Sequence, residues 1–166
     1  MSISKSIFKI TKSDLAKYQK MESKLMVDDL ILLLLYAGKI RSNTKLQKQV
    51  FLVWKQVFPK ITVDPMFFPW KFGAYSRMVE DSVKILETNL DIIIRKGRGE
   101  GTIYQISPKG TKKIEKKVRQ LKIDLHKLRK KKIDWDDWSP KGTLRYVYRN
   151  YPEYETQTRV PSLKWE

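Results

Sequence analysis

The run "LILLLLYA", Leu30 to Ala37, constrains this chain more than any other stretch. Eight consecutive apolar residues leave a helix with no polar face, so other elements have to surround it. The run is far shorter than the roughly 20 residues a membrane span requires. It therefore reads as a buried first core helix, Val27 to Ala37, stopped by Gly38. Hydrophobic residues make up 41% of the sequence, enough to build a core around that helix. A length of 166 residues suits one domain, or one domain with a helical appendage.

Start and stop signals divide the remainder. Asn43 is the expected N-cap of a second helix, with Leu46, Val50, Val53 and Val57 as its apolar stripe and Pro59 as its end. Two prolines and several aromatics make "ITVDPMFFPW" extended or turned. Ser76 caps a third helix whose stripe is Val79, Val83, Leu86 and Leu90. Two β-prone runs, Asp91–Arg95 and Thr102–Ile106, flank "KGRGEG" and predict a hairpin. Ser107 and Pro108 open a long helix with a heptad stripe of Ile114, Val118, Leu121, Leu125 and Leu128. The stretch "DWDDW" breaks that pattern and reads as a surface linker. Ser139 and Pro140 then repeat the start signal, and Leu144, Val147, Tyr148 and Tyr151 line a last helix closed by Pro152.

This order predicts an α+β, mostly α chain: a winged helix-turn-helix with a basic N-terminal arm and a long C-terminal basic helix. The arm spans residues 1–24, with Thr11 and Asp14 as a capping pair for a short helix. The winged-helix core spans 25–107, the long basic helix and terminal helix 108–154, and a flexible tail 155–166.

Thirty-five Lys and Arg against 18 Asp and Glu give a net charge of +17, which calls for a polyanionic partner. In a winged helix the third helix reads bases and the hairpin, or wing, touches the backbone or minor groove. The expected duplex-DNA contacts are Tyr75, Ser76, Arg77 and Lys84 on the third helix, and Arg95, Lys96 and Arg98 on the wing. Lys109, Lys112, Lys113 and Lys116 on the long helix are expected to meet phosphates. The third helix also carries Glu80, Asp81 and Glu87, so a plain solvated face competes with base readout there. The heptad stripe has two readings, a homodimer coil or packing on its own domain. An acidic protein partner is the alternative to DNA. The aromatics of "WKF" (Trp70–Phe72) and "RYVYR" (Arg145–Arg149) suit stacking on unpaired bases only if exposed, and such spacing more often marks core.

The sequence holds no cysteine, which fits a reducing interior, and no signal peptide is visible, so a cytoplasmic protein is expected. His126 is its single histidine, no phosphate-binding loop is present, and no carboxylate pair flanks a nucleophile. Neither an enzyme, nor a cofactor, nor a metal at Asp134, Asp136 and Asp137 is expected.

Four segments occur in a familiar order: "TKLQKQVFLVW" (Thr44–Trp54), "FFPWKFGAYS" (Phe67–Ser76), "YQISPKG" (Tyr104–Gly110) and "LRYVYRNYPEY" (Leu144–Tyr154). Over about residues 27 to 154 the chain resembles the YwgA-like proteins of archaea and bacteria, which are similar to the Panacea (SocA-like) antitoxin domain. It departs from their pattern at Ala74, where proline is usual, and at "ISPKG", where leucine-threonine usually precedes the helix. The resemblance implies a winged-helix-like regulator or antitoxin with no catalytic residues. Its motifs also have structural readings. Gly73 eases a tight entry into the third helix, Tyr75 packs beside Phe51, and Trp54 and Phe72 join the core.

Overall fold

The structure, a computed structural model, describes residues 11–97, 99 and 101–155. The start of the basic arm, Arg98, Glu100 and the tail beyond Glu155 lie outside the described residues. The chain is α+β and mostly helical. Its order is α1 (Lys12–Glu22), α2 (Val27–Ala37), β1 (Ile40–Arg41), α3 (Asn43–Gln56), β2 (Phe68–Trp70) and β3 (Gly73–Tyr75). Then follow α4 (Arg77–Thr88), β4 (Ile92–Gly97), β5 (Gly101–Ile106), α5 (Pro108–Leu121), α6 (His126–Asp137), α7 (Pro140–Asn150) and a 3-10 turn over Pro152–Tyr154.

The apolar run forms the axis. Leu30 to Leu35 of α2 are at most 3% exposed, and α3, α4, α5, α6 and β5 all pack on that helix. Asp29 starts it by accepting the Met26 backbone N–H at 2.8 Å. Burial raises the Asp29 pKa, outweighing that hydrogen bond and Lys117, whose Nζ lies 3.6 Å away. No helix among the described residues is long and apolar enough to cross a membrane.

The sheet order is β1-β5-β4, antiparallel throughout, with Ile40 opposite Tyr104 and Ile94 opposite Tyr104 on its other side. The expected hairpin is present, and its strands run on to a Gly97–Gly101 pair. A separate two-stranded hairpin, β2–β3, pairs Phe68 with Tyr75 and Trp70 with Gly73.

Caps account for most helix starts. Thr11 and Asp14 exchange hydrogen bonds ahead of α1, and Ser76 accepts from Val79 N at the start of α4. The pentapeptide "SPKGT" occurs twice and caps two helices identically. Ser107 Oγ accepts from Gly110 N at 3.0 Å before α5, and Ser139 Oγ accepts from Gly142 N at 2.9 Å before α7. Two sequence expectations shift. Ser42 caps α3 in place of Asn43, and Leu90 leaves the α4 stripe because its φ of 62° turns it outward, beyond the helix end.

The long basic helix is two helices. Lys122 adopts a left-handed backbone (φ 51°), with its N–H on Arg119 O and Ile123 N–H on Val118 O, a Schellman closure. The Asp124 carboxylate then accepts His126 N–H at 2.9 Å and α6 begins. The chain can thereby fold back, and the heptad stripe faces the core. Ile114 and Leu128 are fully buried, and Val118, Leu121 and Leu125 pack on the same core as α2. Of the two readings of the stripe, the structure shows packing on its own domain for Ile114, Val118, Leu121, Leu125 and Leu128. "DWDDW" is corrected too: it ends α6, with Trp135 buried in the core.

Candidate nucleic-acid interface

The residues of α4 divide sharply. Ser76 is fully buried: Gln47 Nε2 donates to its carbonyl at 3.0 Å, and its own N–H donates to Gln47 Oε1 at 2.9 Å. Its hydroxyl donates to the Pro65 carbonyl. So held, Ser76 is a cap and does not present a group to a duplex, a correction to its expected role. Tyr75 is half-buried and donates its hydroxyl to Glu80. Partial burial, followed by that hydrogen bond, pushes the phenol up to about 12. Its ring lies against Phe68 and Trp70, while Phe51 instead meets Trp54, Phe67, Tyr151 and Tyr154. Arg77 is exposed in the first turn of α4, and Lys84 lies 3.7 Å from Glu80. With Glu80, Asp81 and Glu87 also exposed, the outer face of α4 carries more acid than base.

On the β4–β5 hairpin, Arg95 and Lys96 are exposed. On α5, Lys109, Lys112, Lys113 and Lys116 recur at helical spacing along one exposed stripe. Two of the four have internal tasks. Lys109 Nζ donates to the Asn89 carbonyl at the end of α4 at 2.6 Å, and Lys113 pairs at 3.1 Å with Asp91, which is buried. Lys112 and Lys116 are exposed, as are Arg95 and Lys96 of the hairpin.

The β2–β3 hairpin overturns a further expectation. Trp70 and Phe72 are 44% and 46% exposed rather than core. The aromatics of "RYVYR" do join the interior, with Tyr148 buried and Tyr146 packed against the core. Gly73 holds the hairpin down: its φ is 82°, and a Cβ there would sit 2.9 Å from Leu144 and Tyr148 of α7.

Sequence reasoning missed a group of buried polar residues on α3. Lys48, 2% exposed, donates from Nζ to the Ala74 carbonyl at 2.8 Å. Burial alone pushes its ammonium down to about 7. Lys45 Nζ reaches the Asp136 carbonyl at 2.8 Å, Gln49 donates to the Asp136 carboxylate, and so does Lys132, which is buried. Burial lowers the pKa of Lys45 and Lys132 as well. The available signal was slight: "KLQKQ" follows the polar Asn43 and Thr44 and precedes the apolar "VFLVW", so it reads locally as a solvated helix start. Spatially, Gln47 and Lys48 of "LQK" clasp Ser76 and Ala74 of "GAYS", so the two motifs are halves of one latch. Among the described residues no group of three or more His, Asp or Glu side chains is gathered to hold a metal.

Comparison with family models, with curated proteins and with solved structures finds no match to this chain.

Proposed function

We propose that this is a winged-helix nucleic-acid-binding protein, a transcriptional regulator that holds duplex DNA chiefly through phosphates. The observation that carries this is the order α2, β1, α3, α4, β4, β5 with strands arranged β1-β5-β4, in a chain of net charge +17. That order is the one a winged helix uses, with α4 in the reader's place and the β4–β5 hairpin in the wing's. Arg95 and Lys96 of the wing and Lys112 and Lys116 of α5 meet phosphate, and Arg77 is the base available at the start of α4. Phosphate contacts set position and affinity without sequence choice. The acidic outer face of α4 and the β2–β3 insertion before it both favour this phosphate-borne mode over deep major-groove readout. The exposed lysine stripe of α5 favours a second reading, an antitoxin-like interaction module whose lysine face meets an acidic protein.

Anisotropy of a labelled random duplex, titrated with protein at rising salt, tests the proposal. With about four phosphates neutralised, affinity falls several hundredfold between about 50 and 300 mM salt. Replacing Lys112 and Lys116 together by Ala is expected to reduce the log–log slope by roughly 2. Absence of binding at low salt overturns the duplex proposal and leaves the protein-partner reading.

A further inference from the structure

The duplex-binding proposal leaves the aromatic face of the β2–β3 hairpin without a role. Phe68 and Trp70 share one face of β2 by strand alternation, and Tyr75 stands opposite Phe68, with ring centroids about 6 Å apart throughout the trio. Two clefts flank the Trp70–Tyr75 pair. One, of about 200 Å³, lies beside Phe68 and Arg77. The other, of about 220 Å³, runs between the hairpin and the start of α3, walled by Thr44, Lys48, Trp70, Phe72 and Tyr75. Both are smaller than the roughly 300–1,000 Å³ of a drug-sized pocket, which suits a single planar ring.

The cleft is built rather than incidental. Gly73, with its positive φ, seats the hairpin closely on Leu144 and Tyr148 of α7, Ala74 is fully buried, and Lys48 donates to the Ala74 carbonyl. Trp70 and Phe72 therefore project from a fixed backbone, and a ring that stacks on them does not have to order them first. The charge in the wall has one sign. An ammonium carries three donors, of which the Ala74 carbonyl takes one from Lys48, and among the described residues no carboxylate pairs with it. Lys71 adds a second cation, 5.9 Å above the Trp70 ring.

Aromatic faces for a planar ring, beside the Lys48 amine and the Lys71 ammonium for an anion, select one ligand chemistry. We propose that this cleft binds an unpaired nucleotide, its base stacked on Trp70 and Phe72 and its phosphate drawn to Lys48 and Lys71. The nucleotide comes either from a single strand or from a free mononucleotide. The site adjoins Arg77 but includes none of Arg95, Lys96, Lys112 and Lys116, and it does not depend on the duplex proposal.

Three probes test it in parallel: labelled oligothymidylate of about twelve nucleotides, a labelled duplex of equal length, and adenosine monophosphate compared with adenosine by calorimetry. Replacing exposed Trp70 and Phe72 together by Ala is expected to weaken oligothymidylate binding about ten- to a hundredfold while leaving duplex affinity within about twofold. Lys48→Met is expected to remove the preference for the monophosphate over the nucleoside. Oligothymidylate binding that depends on Trp70 and Phe72 assigns a single strand, whereas monophosphate binding with that dependence, unaffected by oligothymidylate, assigns a free nucleotide. If neither probe's affinity depends on Trp70 and Phe72, the proposal is overturned even where duplex binding holds. Loss of duplex binding with this dependence intact overturns only the regulator proposal.

Discussion

Lys48 shows how one buried side chain sets a property of the whole protein. Unfolded, it keeps its proton to its ordinary value of 10.5; folded, burial brings that down to about 7. Between these values the unfolded state binds more protons, so stability rises with pH, by at most about 1.4 kcal/mol per unit. Burial shifts Lys45 and Lys132 in the same direction, which adds to the rise. The guanidinium midpoint is expected to be higher at pH 9 than at pH 7, and Lys48→Met to flatten the increase. A midpoint that falls over this range, or a rise unchanged in the variant, contradicts the assignment. The twin "SPKGT" segments offer a second residue-scale test. A Cβ on Gly110 would lie 2.1 Å from the Asp91 carbonyl oxygen, an overlap with backbone that no rotamer relieves. A Cβ on Gly142 meets nothing nearer than 3.3 Å. Gly110→Ala is expected to cost about 3 kcal/mol or more, and Gly142→Ala to be near neutral or to stabilise by up to about 1 kcal/mol, both read from urea unfolding.

Among the elements, the break between α5 and α6 decides what the basic segment does. A continuous helix over that span would have presented its heptad stripe along one line, open to a second chain. The left-handed turn at Lys122 lets α6 fold back, and the stripe then seals α2 from outside. The turn is formed by a residue that pays a conformational penalty there. Lys122→Gly is expected to stabilise the protein by up to about 1 kcal/mol, seen as a higher thermal midpoint with unchanged helical circular dichroism. A lower midpoint with lost helicity would count against a Schellman closure.

For the whole molecule, α2 is the axis on which helices from both halves of the chain meet. Leu128 and Trp135 of α6 and Val147 of α7 belong to the same apolar cluster as Leu30 to Leu35, so the C-terminal helices complete the core rather than append to it. Leu128→Ala is expected to cost about 2–5 kcal/mol and to shift near- and far-ultraviolet dichroism together as one transition. Two separate transitions, with only the second displaced, would mean that the C-terminal helices form a unit of their own. The polar latch has the same long-range character, because α3 reaches across to the β3–α4 junction and to the end of α6.

Much of the architecture is legible in local chemistry. Serine caps, first-turn prolines, the glycine-rich hairpin and the all-apolar run each act over a few residues, so Ser76, Ser107, Ser139, β4–β5 and α2 appear where their neighbours dictate. The sequence by itself determined these elements, their order and the excess of positive charge. The tertiary structure decided what no local signal encodes. No glycine or proline marks the turn at Lys122, so the residue types that usually close a helix do not announce the end of α5. Nothing in "WKF" says whether its rings face inward, and the seat of Gly73 on α7 turns them out. "LQK" shows its purpose only once Ala74 and Ser76 arrive beside it. Gly110 and Gly142 sit in identical pentapeptides, yet one is pressed against Asp91 and the other is not. Caps and turns are settled by atoms within one turn of chain, whereas burial, charge pairing and close approach depend on residues that only folding brings together.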